Sequence, residues 1–548
     1  MGKPVIATST KSKLGATASM NWFLDSKESA PVAATFRPLI NGKEAFTTLH
    51  EKIEKAEHSI DIAIWGFQPS MHLKRDGKSK CIGDLLIEKA KAGVQVRILV
   101  WSIPFKIQTF SEANMGNAPG VFSGGVAGVT KAQKQYDRNW YLAREGKLHT
   151  LDPHASQNIQ KSYPHLWELS KSSYQNNLKF KTRSVESQSN QYEDKELPGD
   201  AKATLKIFPS HHQKTVLIDY EVPHKAVGFV MEHNMLDNYW DDNSHISGKV
   251  SAPNQGKNVD TPLQDVSSIV SGEVLWYINR NFCQSWDKVS SEKLGEKRKA
   301  LTFDKYPFNK SAGGTPLMAQ ILRTYDKPDI EDIKKIYLQN IKRVTSYIYT
   351  ENQYFRWPPL AEAFIKHWQN LRSKGRPENM PIHWFVVTNS SDDGLGKGTY
   401  TTNKMLEKLG RQDVMPNVAL TDDNGRRDAL NTTLMHTPRG VPGETVNKWK
   451  KERDDLQARF NSREGMKERS YTKNAEEVRE KEFAKKLKKE LGVKVHVCTL
   501  TASNAWKEVY IHSKVTIIAD VFTVISSANL NTRSMQVDTE LGIFTEHG

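Results

Sequence analysis

The sequence predicts an α/β protein made of two tandem, pseudo-twofold-related α/β/α sandwich halves with mixed sheets, plus helical insertions. Three observations predict it. Amphipathic helical stretches alternate with short apolar strands. The same order of elements recurs at an offset of about 290–300 residues, too long for a solenoid repeat and therefore a duplicated domain. Each half also carries a His-x-Lys pair at the head of an apolar run ending near an Asn.

In chain order, residues 1–35 are small and polar without a clear period, and read as a loose arm or a strand capping the core. FTTLHEKIEKAEHSIDIAIWGF gives a helix into a strand, and IGDLLIEKAKAGVQVRILVW repeats the pattern, with Gly93 as the helix stop. Between about 109 and 203 the alternation breaks, and the polar run with scattered aromatics reads as a partly helical insertion. GEVLWYINRNFCQSWD closes the first half, 1–288, as an amphipathic helix. Residues 289–330 are basic, contain Pro and Gly, and read as the joining segment. In the second half, 331–548, EDIKKIYLQNIKRVTSYIYTENQYF and PLAEAFIKHWQNLRSKG with PIHWFVVTN restate the helix–strand pairs. A second insertion, about 410–489, is laced with both charge signs and reads as a solvated helical hairpin. The chain stops at TELGIFTEHG, in or just after a strand, and the reading favours a C-terminally shortened chain.

Composition narrows the function classes. The 548 residues hold 78 Lys and Arg against 63 Asp and Glu, a formal charge of +15. Such a balance suits anionic partners, either nucleic acid or a membrane rich in acidic lipid. The three cysteines, Cys81, Cys283 and Cys498, are too far apart for a zinc spacing or a disulfide framework. No run approaches the length of a membrane span, and the N-terminus lacks a signal-like segment, so synthesis in the cytoplasm without a Sec signal is expected.

The chemistry concentrates in two stretches. In VYIHSKVTIIADVFTVISSANLNTRSMQVDTEL, His512 and Lys514 are two apart and project from one face of a strand, as do Ser527 and Asn529 on the next apolar run. In KIFPSHHQKTVLID the same setting holds His212, Lys214 and Asp219, and Asn234 follows as Asn529 does. A His, a Lys, a Ser and an Asn in a buried sheet call for an anionic group with several oxygens. Two such units in one cleft can cleave a phosphodiester. One imidazole attacks phosphorus and forms a phosphohistidine, while the other protonates the leaving alcohol and then activates water. Lys214, Lys514, Asn234 and Asn529 would hold the phosphoryl oxygens. Spacing alone leaves open which histidine does which. By strand parity, His211 points away from His212 and reads as packing or rim.

These residues resemble the phospholipase D superfamily, marked by HxKxxxxD, usually present twice. HQKTVLID matches in full, whereas HSKVTIIAD has Ala519 at the Asp position and Asp520 one residue later. IWGFQPSMHLKR, PLQDVSSIVSGEVLWYINRNFCQSWD, YTENQYF and ANLNTRSMQVDTE resemble segments of the two-motif, phospholipid-cleaving branch. The resemblance implies His212 as nucleophile, His512 as acid/base, and Glu540 as the acid behind one imidazole. Asp241 is read as the acid behind the other, with Asp242 beside it. The odd spacing of Ala519 from His512 makes the motif Asp position structural, to be taken over by Asp520. Met231 and Glu232 stand where the family often has two glycines, which implies a reshaped pocket or a different contact partner.

The implied function is a phospholipase D releasing phosphatidic acid and a head-group alcohol, without cofactor or metal. The arrangement is similar to bacterial effectors delivered by type VI secretion. The partners expected are a phospholipid membrane surface and, for an effector, secretion-apparatus and immunity proteins. No nucleic acid is expected, the chain is expected to be a monomer, and it would act at the membrane of a target cell after secretion into its periplasm. The alternatives are a phosphatidyl transferase such as a cardiolipin synthase, a superfamily nuclease, and an inactive lipid-binding module.

Overall fold

The computed structural model describes residues 21–102, 115, 130–185, 209–248, 250–390, 398–411, 427–428, 430–435, 441–469 and 493–547. The first half contributes seven main strands: β1 (Val32–Ile40), β2 (Ser59–Ile64), β3 (Gln95–Trp101), β4 (Leu178–Arg183), β5 (Thr215–Ile218), β6 (Val227–Val230) and β7 (Val266–Gly272). The second contributes β8 (Thr315–Tyr325), β9 (Tyr347–Asn352), β10 (Ile382–Val387), β11 (Val493–Cys498), β12 (Lys514–Ile518), β13 (Phe522–Ser526) and β14 (Glu540–Glu546).

All fourteen lie in one mixed sheet, in the order β11-β10-β9-β12-β13-β14-β8-β1-β7-β6-β5-β2-β3-β4. The order is a palindrome about the β8–β1 seam, where Val32–Phe36 pairs antiparallel with Thr315–Ala319. Each strand of one half therefore has a counterpart in the other. β2, β3 and β4 run parallel, as do β9, β10 and β11, and the strands nearer the seam are antiparallel.

Local chemistry explains the elements. Helix α1 (Asn41–Glu54) buries Ala45, Phe46, Leu49 and Ile53, spaced to share one face. β2, SIDIAI, is buried along its whole length because helices or loops cover both of its faces. Helix α2 (Ile82–Lys91) ends at Gly93, whose φ of 93° disfavours any side chain. Four apolar clusters result among the described residues, the smallest packing Ala63 and Leu99 with Phe282 and Trp286. Of the others, one lies in each half, and a third crosses the seam with Phe36, Val270, Ile278, Ile321, Ile525 and Ile543. Each fully buried Ile or Val there stabilises the closed dimer-like fold by about 1.5–3 kcal/mol.

Two sequence expectations change. The stretch 289–330, read as a joining segment, contains β8, the seam strand of the second half. Its first four residues are largely exposed and only the rest are buried, so its basic, Pro- and Gly-bearing surroundings hid a strand. Residues 1–35 were expected to be an arm or a capping strand, yet Val32 begins β1 at the centre of the sheet.

The first insertion, in its described part, packs helices α3 (Lys131–Arg144), α4 (Pro153–Ser162) and α5 (Pro164–Lys171) before β4 extends the sheet. Helix α3 begins at a full capping box between Thr130 and Gln133. α6 (Val274–Trp286) follows β7 and buries Leu275, Ile278, Phe282 and Trp286. In the second half, α7 (Asp332–Asn340) and α8 (Pro358–Ser373) hold the places of α1 and α2. α9 (Gly398–Lys408) and α10 (Gly443–Arg469) belong to the stretch between β10 and β11. Of the described side chains of α10, Leu456 alone is buried, as a solvated charged helix requires. Residues 470–492, which would hold the other arm of the expected hairpin, lie outside the described residues, as do GVFSGGVAGV and its flanks.

Candidate active site

Both His-Lys pairs sit at the same end of the sheet, where β5 and β12 begin. Each enters along a short segment paired with the opposite half. Tyr510 and Ile511 pair in parallel with Leu263 and Gln264, and at the matching place His211 bridges Thr539. The backbone N–H of His512 donates to Gln264 O (2.9 Å), and that of His212 to Thr539 O (2.9 Å). The residue after each acceptor is an acid: Asp265 before β7, and Glu540 opening β14. Register thus hands each histidine an acid from the other half.

His212 Nδ1 lies 2.9 Å from Glu540 Oε2 and 3.0 Å from Ser527 O. His512 Nδ1 lies 2.8 Å from Asp265 Oδ2. Both partners are acceptors, so each Nδ1 carries the proton and each Nε2 holds a lone pair. Lys214 Nζ donates to His212 O (2.9 Å) and reaches His212 Nε2 at 3.2 Å. Lys514 Nζ donates to His512 O.

Burial governs the electrostatics. His212 is held well below the ordinary imidazole range by burial first, then by Lys214 and Lys514. His512 is lowered in the same way, by burial, then Lys514, Lys214 and His212, so the two units share one field. Burial, with Lys514 next, brings Lys214 down to about 7. Burial also lowers Lys514 and pushes Glu540 up to about 7. An arriving anion would restore both lysine charges.

The other expected residues divide. Asn234 and Asn529 hold counterpart positions after β6 and β13, are 1% and 5% exposed, and keep amide oxygens without partners among the described residues. Ser527 differs from expectation: its hydroxyl donates to Glu540 Oε2 at 2.5 Å and is spent on the acid. Asp241 is not the second acid. Its Oδ2 accepts Leu263 N–H (2.8 Å) and faces His245 Nδ1 (3.3 Å), and its Oδ1 accepts Asp242 N–H (2.9 Å), so it braces the loop leading to Asp265.

Asp219 is not at the reacting centre either. It accepts the backbone N–H groups of Glu57, His58 and Ser59 at 3.0, 2.7 and 3.1 Å and ties the end of β5 to the head of β2. Ala519 occupies the matching turn, with φ 50° against 53° for Asp219. Asp520 accepts from the Tyr347 hydroxyl, at the head of β9, and so takes over the tether. His211 is buried against Thr539 Oγ1 (2.7 Å) and Arg183 (3.4 Å), which is packing. Asp265 was missed. An acid directly before an apolar strand, as in QDVSSIV and TELGIF, was the available signal, but pairing it with His512 needs the fold.

Fold and site together define a duplicated, mixed α/β protein whose two His-Lys units are each completed by a carboxylate of the opposite half. No family model matches the chain. In sequence it is 21% identical over 574 residues to phospholipase D alpha 4 of Arabidopsis thaliana, covering 93% of this chain and 62% of that protein. A stretch of 73 residues, 13% of each protein, is 37% identical to a cardiolipin synthase of Geobacillus sp. (strain WCH70). Among solved structures, the phosphatidylserine synthase of Haemophilus influenzae Rd KW20 aligns over 93% of this chain and 82% of its own, with TM-score 0.42 and 11% identity. The chain spans less than two thirds of the plant relatives' length, 62% of the Arabidopsis protein and 40% of phospholipase D alpha 1 from Oryza sativa subsp. japonica. Its sequence relatives carry the names of phospholipases D and of a cardiolipin synthase, at identities of 21–37%.

Proposed function

We propose that the chain is a phospholipase D that hydrolyses the distal phosphodiester of glycerophospholipids through a phosphohistidine. One observation carries the reading: two imidazoles, each with Nδ1 committed to a carboxylate and Nε2 left with its lone pair, share a buried field with two lysines. His212 is the nucleophile, as the resemblance implies, and its side chain is the more open at 15% exposed against 3% for His512. His212 Nε2 attacks phosphorus and the bond to the head-group oxygen breaks. The charge of the entering phosphodiester favours a proton taken up from solvent at His512 Nε2, and His512, stabilised by Asp265, delivers that proton to the leaving oxygen. Water then attacks the phosphohistidine, giving its proton to His512 as phosphatidic acid leaves. Lys214 and Lys514 neutralise the phosphoryl oxygens as charge builds, with Asn234 and Asn529 beside them.

A second reading has one specific observation behind it, the local similarity to a cardiolipin synthase. The same intermediate passed to a lipid alcohol instead of water would make the chain a phosphatidyl transferase. Choline release from labelled phosphatidylcholine, with and without an acceptor alcohol, separates the two by product. His212→Ala and His512→Ala should each lose more than about 10³-fold in rate. Plasmid cleavage in place of choline release would sink the lipase reading. Activity lost in EDTA would sink the metal-free route.

The membrane partner rests on Trp506, 96% exposed at the turn that leads into the His512 strand. The effector setting rests on resemblance alone. If it holds, the chain directed to the periplasm of a Gram-negative host stops growth and the His212→Ala variant does not.

A further inference from the structure

The twofold relation between the halves breaks at one buried position. Register makes Glu232 the counterpart of Ser527: each follows the residue opposite its motif lysine, after β6 and β13 respectively. Ser527 donates a hydroxyl to Glu540, the acid of His212. Glu232 has no proton to donate unless it is neutral, yet it sits beside Asp265, the acid of His512.

Its surroundings suit a neutral carboxyl and not a carboxylate. The residue is 0% exposed. Oε2 accepts the backbone N–H of Lys514, across the junction of the halves, and Oε1 is buried without a partner among the described residues. Glu351, nearby, contrasts with it by accepting from Ser513 Oγ (2.6 Å), Gln264 Nε2 (3.3 Å) and Tyr349 OH (2.6 Å). Burial foremost, then Asp265 and Glu351, disfavour a charge on Glu232, while Lys514 and Lys214 favour it; the balance raises Glu232 well above the carboxylate range. An ionised carboxylate left with one donor and a bare oxygen is among the costliest arrangements in a protein interior. Were Glu232 charged, it would add a further negative charge to those of Asp265, Glu540 and Glu351 around Lys214 and Lys514, and would oppose the entry of an anionic phosphodiester.

We propose that Glu232 is a neutral positioning residue that holds a proton through turnover, anchors the Lys514 strand and leaves Asp265 to serve His512. This rests on the phospholipase D reading and deepens it.

The test is Glu232→Gln, which keeps an acceptor for the Lys514 N–H and cannot ionise. We expect kcat/KM on a short-chain phosphatidylcholine below neutral pH to stay within about threefold of the parent, with the basic limb unmoved or shifted to higher pH. A charged Glu232 would support the lysine charges, so its loss would move the basic limb to lower pH; that shift, or a loss beyond about thirtyfold in a folded variant, overturns the proposal. A readout independent of activity is the infrared difference between parent and variant at neutral pH. A protonated-carboxyl band in the parent that the variant lacks supports the proposal even if the chain cleaves no lipid, and its absence overturns it. Glu232→Ser, which copies the other half but drops the Lys514 tether, should keep the profile's shape while lowering kcat.

Discussion

His212 and its neighbours set how the site responds to pH. Glu540 is raised to about 7 by burial, so falling pH protonates it and takes away the acceptor that orients His212. Lys214 is lowered to about 7 by burial and Lys514, so rising pH strips the charge that should hold the phosphoryl group. The two signs oppose, and kcat/KM should follow a bell centred near neutrality. Glu540→Gln should remove the acid limb and cost about 10²–10⁴-fold, because an amide can favour the wrong imidazole tautomer. Lys214→Arg stays charged and should carry the basic limb upward. Asp265→Asn should match the loss of Glu540→Gln, whereas Asp241→Asn should change kcat by less than about tenfold, since Asp241 only braces the loop. These comparisons separate the acid the sequence suggested from the one the fold supplies. The His-Lys pairs were legible because strand parity is local. Asp265 was not, because its partner is 247 positions away and in the other half.

The elements that carry the site are held by turns whose sequences look like failed motifs. Asp219 and Ala519 occupy the same left-handed turn, yet three backbone N–H groups depend on Asp219 alone. Asp219→Ala should therefore destabilise the fold by about 2–4 kcal/mol, read by chemical denaturation, while the folded fraction keeps its kcat. Ala519→Gly should do the reverse, raising stability by about 0.5–1 kcal/mol, because Ala at φ 50° bears a strain that Gly does not. The motif Asp thus belongs to strand attachment and not to chemistry, which explains why the second half tolerates its loss once Asp520 reaches Tyr347. At this scale the helix–strand pairs were readable from periodicity. β8 was not, because a strand whose first residues face solvent beside basic, Pro- and Gly-bearing sequence has no distinctive pattern.

At the scale of the molecule, the seam and the exchanged acids make one site out of two halves, and they also decide what that site faces. The turn carrying Trp506 is fixed to the first half: Asn504 Nδ2 donates to Ser247 O (2.9 Å), Ser247 N–H donates to Asn504 Oδ1 (2.8 Å), and Lys507 pairs with Asp260. A side chain that is 96% exposed on so well-anchored a turn gains nothing from the fold itself. It gains from an interface, where an indole places its apolar body among acyl chains and its N–H among head groups. Val250, 59% exposed, lies on the adjoining loop. The +15 charge would draw the chain to acidic lipid over a range that salt shortens. Trp506→Ala should lower co-sedimentation with phosphatidylglycerol-containing vesicles at least about fivefold while leaving turnover of a monomeric short-chain phospholipid unchanged. Raising salt should weaken vesicle binding of parent and variant alike, because it screens charge and spares the indole's contribution. If the variant binds vesicles as tightly as the parent, Trp506 faces another partner, and the proposed lipid route to His212 would have to start elsewhere on the surface.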